Sequence, residues 1–328
     1  MPVDPRDPPV LSEAFAKAVP TWRAAYSDRT AAMMAAFSQL AYVPFVDDQP
    51  PPAKGQPKLE LDGGREKLAG LLATGGFVLK EVFNQDNVQA FLAVNPNEFA
   101  VLSFRGTANA ADWGINLNAL RMPMPGFEDV GIHRGFWETF KDMAPAITAA
   151  VDKYVPGELG LYITGHSLGG ALAQIASAVL ERDNLAACYT FGSPRVATRN
   201  FDVCVKCPHY RAVNQWDLVP GVPLPTPWGY LHSGDPRLLE RGAPKQALRR
   251  DRGLVGRTVV YLWSFTIFPI IRRLSIVDDH MIWNYRAKLE GIAEVRAASA
   301  LATAAVLTAD STTAPRPPEP SRKTVGES

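Results

Sequence analysis

The sequence contains few cysteines, almost no net charge and no long uninterrupted apolar run, and each shortage excludes a class of protein. Three cysteines in 328 residues are too few for a disulfide framework. A net charge of +1 gives no electrostatic reason to expect a nucleic-acid partner, and we expect none. The longest apolar run, 258–271, is interrupted by Pro269 and is too short to span a bilayer. These properties are typical of an ordinary globular protein.

The two ends of the chain differ in composition from the rest. Residues 1–10 are proline-rich and lack the apolar core of a secretory signal, so we expect an extended N-terminus and a cytoplasmic location, with peripheral membrane contact as the alternative. Residues 310–328 cannot bury enough apolar surface to become ordered, which predicts a disordered tail. Residues 11–309 are predicted to form a single domain.

Two cysteines are close enough in sequence to suggest a metal site. Cys204 and Cys207 form a C-x-x-C pair with His209 close behind. No second pair of this kind completes a tetrahedral zinc site, so we interpret both as ordinary thiols and predict no metal. Cys188 lies in an apolar run and is predicted to be a buried core residue.

The order of predicted elements indicates an α/β protein. Helical spacing predicts one or two helices in 11–43, and a long helix is expected at about 135–154. Three β-type runs joined by hairpin turns, at 77–83, 88–94 and 99–104, precede alternating strands and helices from 161 to 213; a further helix is expected at 294–309. This order predicts a mixed, mostly parallel central sheet with helices on both faces and an N-terminal antiparallel hairpin region.

A serine lies at a very tight turn between an apolar strand and an apolar helix. Gly165 and Gly169 flank Ser167 at two residues on either side, in a G-x-S-x-G pattern after the strand 161–163. Such a turn lifts the hydroxyl clear of the backbone at a helix N-terminus, where free N–H groups favour developing negative charge. Ser167 is therefore the candidate nucleophile.

A serine nucleophile needs a base, and five histidines are available. His166 points away from the hydroxyl within the turn, His133 precedes the serine in the chain, and His209 begins a core strand. His280 is preferred over His232 because it lies at an exposed loop-to-helix junction that could swing toward Ser167. His232, by contrast, follows a predicted edge strand at 228–231, and a surface role explains this histidine equally well.

The acid and the oxyanion donors are sought at the ends of strands. Asp217 follows the predicted strand 210–213, and active sites of open α/β sheets gather at the carboxyl ends of strands. Leu168, which follows the nucleophile, and Thr107, which follows the strand ending at Phe104, are the candidate N–H donors for an oxyanion.

Taken together, these pieces resemble the lipase class 3 family, the fungal-lipase-type triacylglycerol lipases. The matching stretches run in the family's order at 104–107, 113, 133–136, 165–170, 191–196, 217–220 and 279–280. The resemblance implies an α/β-hydrolase fold, a triad of Ser167, Asp217 and His280, oxyanion donors Thr107 and Leu168, and no metal or organic cofactor. Because secreted fungal members carry a signal and disulfides, this chain resembles an intracellular or membrane-associated, bacterial-type relative.

The function expected from these residues is hydrolysis of lipid carboxylic esters, such as triacylglycerol or monoacylglycerol, or of a small ester. A phospholipase is the closest alternative. A catalytically silent lipase-like binding or scaffold protein is the alternative from another class, because folds of this kind host many functions.

Two further segments bear on the substrate. Residues 108–122 are a candidate lid, with Trp113, Leu117 and Leu120 on one face; the alternative is a helix packed permanently on the domain. Residues 237–273 combine a basic stretch with an aromatic apolar run and are predicted to be an insertion that contacts an anionic membrane or lines an acyl pocket. A solvated basic helix followed by a core strand is the alternative for this segment.

Overall fold

The computed structural model describes residues 6–7, 25–43, 64–85, 88–106, 120–225, 227–239 and 279–313. Thr107, Trp113, Leu117 and most of the predicted insertion 237–273 lie outside these described residues, as do most of the N-terminus and the tail beyond 313.

Seven strands form the central sheet, in the order β1-β2-β3-β6-β7-β8-β9. Their bounds are β1 Val78–Gln85, β2 Val88–Val94, β3 Ala100–Phe104, β6 Leu161–His166, β7 Leu185–Phe191, β8 His209–Asn214 and β9 Asp235–Leu239. The first two pairings are antiparallel and the remaining four are parallel. The predicted mixed, mostly parallel sheet with antiparallel hairpins at its start is therefore confirmed.

Helices cover both faces of this sheet. Their bounds are α1 Asp28–Leu40, α2 Arg65–Ala73, α3 Arg134–Lys141, α4 Ala144–Tyr154, α5 Leu168–Val179 and α6 Ile282–Thr313. One hydrophobic core joins α1, α2 and α6 to the sheet, and a second joins α3, α4 and α5. Alternate residues of a strand feed the two cores, as Val101 and Leu102 of β3 do, because successive side chains of a strand point to opposite faces.

The long helix predicted at 135–154 is two helices, and the prediction of a single one is wrong. The chain turns at Asp142 and Met143 between α3 and α4. Pro145 lies in the first turn of α4. A proline is tolerated there, since the N–H it lacks would have no partner, but it would break a continuous helix.

A hairpin that was not predicted follows residues 107–119. Its two strands are β4 Arg121–Met124 and β5 Phe127–His133. Its turn contains Gly126 with φ of 82°. Because Arg121 and Met122 are in β4, the lid candidate 108–122 cannot be a helix over its last residues. Leu120, which precedes the strand, is 51% exposed.

The edge strand of the sheet is also displaced from its predicted place. Residues 228–231 form no strand, because Gly229 has φ of 73° and Leu231 makes only an isolated bridge to Ala197. The edge is β9, whose Arg237 packs over the Tyr26 ring at 4.2 Å. Residues 237–239 of the predicted insertion are therefore part of the central sheet.

The last helix is longer at both ends than the predicted 294–309. It begins at Ile282 and continues to Thr313, so the residues just after 309 are helical rather than disordered. Among the described residues, no helix combines the length and the hydropathy needed to cross a bilayer.

Two histidines are buried in the framework rather than in the cleft. His209 lies 2.9 Å from the Thr190 hydroxyl and 3.3 Å from that of Ser233, which ties β8 to β7 and to the loop before β9. His133 caps α3, where its Nδ1 accepts a hydrogen bond from Phe136 N at 3.3 Å. Burial lowers the pKa of His209 to about 3 and that of His133 to about 4.

These depressed pKa values predict acid sensitivity. Between about pH 6.5 and pH 4 the unfolded chain binds more protons than the folded one. The free energy of unfolding therefore keeps its full value above this range and falls as the pH decreases through it. Each histidine contributes a slope of about 1.4 kcal/mol per pH unit. Urea unfolding at several pH values should show the loss. His209→Gln should flatten the slope by about one histidine's share; a slope identical to wild type would contradict the assignment.

Candidate active site

The turn between β6 and α5 holds Ser167 in a strained conformation. Its φ is 57° and its ψ −126°, a region that non-glycine residues rarely adopt. Hydrogen bonds on both sides of the residue hold it there. Its N–H donates to Phe191 O at 2.9 Å, and its carbonyl accepts from Gly170 N, also at 2.9 Å. The serine is only 1% exposed among the residues described.

Gly165 and Gly169 make this turn possible, as the pattern predicts. A Cβ on Gly165 would lie less than 3.0 Å from the backbone of Gly169, and one on Gly169 equally close to the backbone of Phe104. Real Cβ atoms essentially never come so close. Helix α5 therefore packs backbone against backbone on β6 and β3, and this close approach fixes the direction in which Ser167 leaves the sheet.

His280 lies beside the serine. Its Nε2 is 3.0 Å from Ser167 Oγ. The expectation that His280 is exposed is wrong, because it is 5% exposed. The ring of His166 packs against it with centroids 4.6 Å apart, so the imidazole reaches the serine without any swing of the loop.

Asp217 completes a chain of hydrogen bonds. Its Oδ2 lies 2.8 Å from His280 Nδ1 and accepts from the Tyr285 hydroxyl at 2.5 Å, and its Oδ1 accepts from Val219 N at 2.9 Å. A carboxylate can only accept, so His280 Nδ1 carries the proton in this contact. The lone pair of a neutral His280 is then on Nε2, which faces Ser167.

These groups meet because the parallel strands β6, β7 and β8 end at one edge of the sheet. Gly192 follows β7 with φ of 58°, directly behind the acid and the imidazole. A Cβ on Gly192 would lie 2.6 Å from Asp217 Oδ2 and 3.1 Å from His280 Nδ1. Sequence reasoning did not single out Gly192 for the site, although it lies within a stretch that carries the family resemblance.

Three polar residues that sequence reasoning missed surround the acid and the imidazole. The Tyr285 hydroxyl, which donates to Asp217, also accepts from Asn214 N at 3.0 Å. Asn214 Nδ2 donates to Asp279 O at 2.6 Å, and Lys288 Nζ donates to Asn214 Oδ1 at 2.9 Å. The end of β8 and the start of α6 are thereby joined around Asp217. No local motif marks these residues, because their partners are far away in sequence.

Arg195 holds the loop that follows Asp217. Its guanidinium Nη1 donates to the carbonyls of Gly221 and Pro223, the latter at 2.8 Å, and its N–H donates to Val222 O at 2.8 Å. The side chain is buried. Arg195 therefore fixes the path of the chain immediately after the acid.

His232, the other candidate base, is engaged elsewhere. Its Nε2 donates to Pro220 O at 2.8 Å. The structure thus brings His280, and not His232, to Ser167. Cys204 and Cys207 are buried and form no disulfide, and no group of three potential metal ligands occurs within the described part of the chain.

The candidate oxyanion donors and lid residues are only partly described. Leu168 is the first residue of α5, where helix N–H groups have no acceptor within the helix. Thr107 lies outside the described residues, but its neighbour Gly106 contacts the elbow: a Cβ on Gly106 would be 3.1 Å from Ser167 Cβ. Of the three lid candidates, Trp113 and Leu117 also lie outside the described residues, and Leu120 is half-exposed.

Comparisons with known proteins show which family part of this chain resembles. Residues 101–226 match the class 3 lipase family. The secreted mono- and diacylglycerol lipase 1 of Fusarium solani is 34% identical over 168 residues, which are 49% of this chain and 50% of that protein. The lipase of Rhizomucor miehei is 30% identical over 154 residues, 43% of this chain and 42% of that protein. This chain thus spans about half the length of the curated relatives it matches.

Solved structures agree on the fold. The lipase from Rhizopus microsporus var. chinensis matches with a TM-score of 0.51 at 23% identity, covering 71% of this chain and 82% of that one. The fold is an α/β-hydrolase fold. Residues 101–226, which contain both the elbow serine and Asp217, are similar to the class 3 lipase family.

Proposed function

We propose that this protein hydrolyses carboxylic esters of lipids through an acyl-enzyme on Ser167. The observation that carries the proposal is the hydrogen-bond chain from Ser167 Oγ to His280 Nε2, at 3.0 Å, and from His280 Nδ1 to Asp217 Oδ2, at 2.8 Å. Because the Fusarium relative is named a mono- and diacylglycerol lipase, acylglycerols are the substrate class we propose.

In the first step His280 Nε2 takes the proton of Ser167 as Oγ attacks the ester carbonyl. The imidazolium that forms is stabilised by Asp217, whose carboxylate is already oriented by its contacts with Tyr285 and Val219 N. None of these groups has to move for the proton to transfer, so little reorganisation adds to the barrier.

The tetrahedral intermediate needs donors for its oxygen. We assign this role to the N–H groups of Leu168 and Thr107, each worth about 3 kcal/mol in the transition state. The position of Leu168 at the start of α5 supports the first, since its N–H has no acceptor within the helix. The contact of Gly106 with the elbow supports the second, because Thr107 is the next residue in the chain.

His280 then gives its proton to the departing alcohol, and collapse of the intermediate leaves the acyl group on Ser167. Water enters, His280 takes one of its protons, and the resulting hydroxide equivalent attacks the acyl carbonyl. Collapse of the second intermediate releases the fatty acid and returns the proton to Ser167 Oγ. The residues named supply every proton transfer of this cycle.

We also propose that residues 11–309 form one domain and that the segment before β4 covers the acyl groove. The segment begins directly after Gly106 at the elbow and ends at Leu120 before the hairpin. It contains the apolar residues Trp113, Leu117 and Leu120. The position of Gly106 next to Ser167 therefore favours a cover over the serine that would present apolar side chains to an acyl chain.

Replacing the nucleophile tests the proposed reaction. Ser167→Ala should lower kcat for p-nitrophenyl butyrate by about 10⁶-fold, and Asp217→Asn by about 10⁴-fold, because an amide can donate to Nδ1 and favour the wrong tautomer of His280. Initial rates on p-nitrophenyl butyrate and p-nitrophenyl palmitate provide the measurement, and their ratio separates an esterase from a lipase.

Ser177→Ala is the matched control, since Ser177 is a buried serine of α5, the helix that follows Ser167, and its hydroxyl donates to Gln174 O at 2.7 Å. It should keep the wild-type rate. Equal rates for wild type and Ser167→Ala would reject the hydrolase proposal and favour a silent binding protein. A marked preference for phospholipid vesicles over acylglycerol would instead identify a phospholipase.

Gly192→Ala tests the packing behind the acid. The added methyl group would displace Asp217 Oδ2 and His280 Nδ1, and the positive φ adds strain. We expect kcat to fall about 100-fold, because displacements of about 1 Å are this costly in an active site. Gly126→Ala is the control for strain alone, since Gly126 also has positive φ but open space around it. A Gly192→Ala enzyme as active as Gly126→Ala would contradict the prediction.

We propose further that the basic and apolar segment after Leu239 contacts an anionic membrane from the cytoplasmic side. The segment contains Arg249, Arg250 and Arg252 before the aromatic run 259–268. Reversing these three charges to Glu should weaken binding to phosphatidylglycerol vesicles at least tenfold at low salt, since each basic residue contributes about 1 kcal/mol. Cosedimentation with the vesicles measures the fraction of protein bound. Reversing the exposed Arg65 and Lys67 of α2 is the control, and an equal effect there would refute specific contact.

A further inference from the structure

His166, the residue before the nucleophile, is buried within the elbow. Its side chain is fully buried and lies between two partners. Its Nδ1 is 2.7 Å from the Tyr42 hydroxyl, and its Nε2 is 2.5 Å from the backbone carbonyl of His280. The elbow thus contains two adjacent residues that contact His280, one through the imidazole and one through the main chain.

The chemistry of these partners fixes which atom of His166 carries the proton. The carbonyl of His280 can only accept, so His166 Nε2 donates to it. In a neutral imidazole Nδ1 is then an acceptor, and the Tyr42 hydroxyl donates to it. Tyr42 therefore donates to His166, and His166 donates to the His280 carbonyl. Both ring nitrogens of His166 have a hydrogen-bond partner in this chain.

A neutral His166 is favoured by its surroundings. Burial lowers its pKa well below the ordinary value, and the neighbouring His280 lowers it further. His166 consequently stays uncharged while His280 takes the proton of Ser167. It can hold the base in place without competing for that proton.

Two side chains at the ends of strands hold the backbone of the base. Asp279 O accepts from Asn214 Nδ2 at 2.6 Å, and His280 O accepts from His166 Nε2. Two consecutive carbonyls are thereby bound to the ends of β8 and β6. The second bond connects the residue that carries the imidazole to the residue before the nucleophile, so it sets their separation directly.

Tyr42 extends the same line to the loop that precedes Thr107. Tyr42 follows α1, and a hydrogen bond from the backbone of Gly106 reaches its hydroxyl. The guanidinium of Arg105 lies 5.6 Å from the ring centroid of Tyr42. One buried hydroxyl therefore contacts both the elbow and the start of the segment that we assign to the oxyanion site.

We propose that His166 is a positioning residue: through its bond to the His280 carbonyl it sets the distance between the base and Ser167, and Tyr42 fixes the tautomer that this bond requires. The inference rests on the proposed hydrolase function and deepens it.

Two substitutions at 166 separate this role from simple packing. Glutamine carries an amide nitrogen about as far out as Nε2 and keeps a donor for the His280 carbonyl, whereas asparagine reaches only as far as Nδ1 and loses it. His166→Asn should lower kcat on p-nitrophenyl butyrate about 100-fold with KM changed less than about twofold, and His166→Gln should keep kcat within about fivefold of wild type. Ser38→Ala is the matched control, because it removes another buried hydroxyl contact between α1 and β6, to Thr164 at 2.9 Å.

A proton NMR readout makes the test independent of turnover. The resonance of His280 Nδ1–H, bonded to Asp217, should be present downfield in wild type, His166→Gln and Ser38→Ala, and be lost or shifted in His166→Asn. If the wild type hydrolyses no ester, the proposed function fails, and this resonance alone decides the positioning role. Equal kcat and equal spectra for the two variants at 166 would overturn the proposal. Should both fail to fold, Tyr42→Phe replaces them: kcat lowered about tenfold at unchanged KM supports the role, and wild-type kcat with a wild-type resonance overturns it.

Discussion

The hydrogen bond between His280 Nδ1 and Asp217 Oδ2 is the interaction on which the rest of the site depends. It places the proton of the imidazole on the side away from Ser167 and leaves a lone pair facing the hydroxyl. The bond in turn requires a carboxylate with a fixed orientation, which Tyr285 and Val219 N provide. It also requires empty space behind both groups, which only a glycine at 192 allows.

The elbow shows how the fold supports a strained residue at the place where chemistry is proposed. A positive φ at a non-glycine residue costs on the order of 1–3 kcal/mol and persists only where its surroundings enforce it. Here the surroundings are the backbone contacts of Gly165 and Gly169 and the bond from Ser167 N to Phe191 O. The strain therefore belongs to the framework of β6, β7 and α5, and it exists before any substrate arrives.

Much of the fold could be predicted from contiguous residues, because strand alternation and the steric needs of the elbow are local. The break at Pro145 and the hairpin turn at Gly126 also have local causes. Both were missed because the residues around the first were interpreted as one continuous helix and those before the second as a lid. Tyr42, Tyr285 and Asn214 could not be predicted, since their roles depend on partners that are distant in sequence. For the same reason the burial of His280 was missed: it is covered by residues of other elements.

Several residues of the site, including the base, lie outside the part of the chain that matches the family. Residues 101–226 hold Ser167 and Asp217, but His280 and its neighbours on α6 come later in the chain and Tyr42 comes earlier. Helices α1 and α6 pack on the same face of the sheet, and the buried carboxylate of Asp28 pairs with Arg296 between them. The two ends of the described chain therefore form one support, which carries the base to the nucleophile. A segment limited to the matched residues would possess the elbow and the acid without the imidazole that connects them.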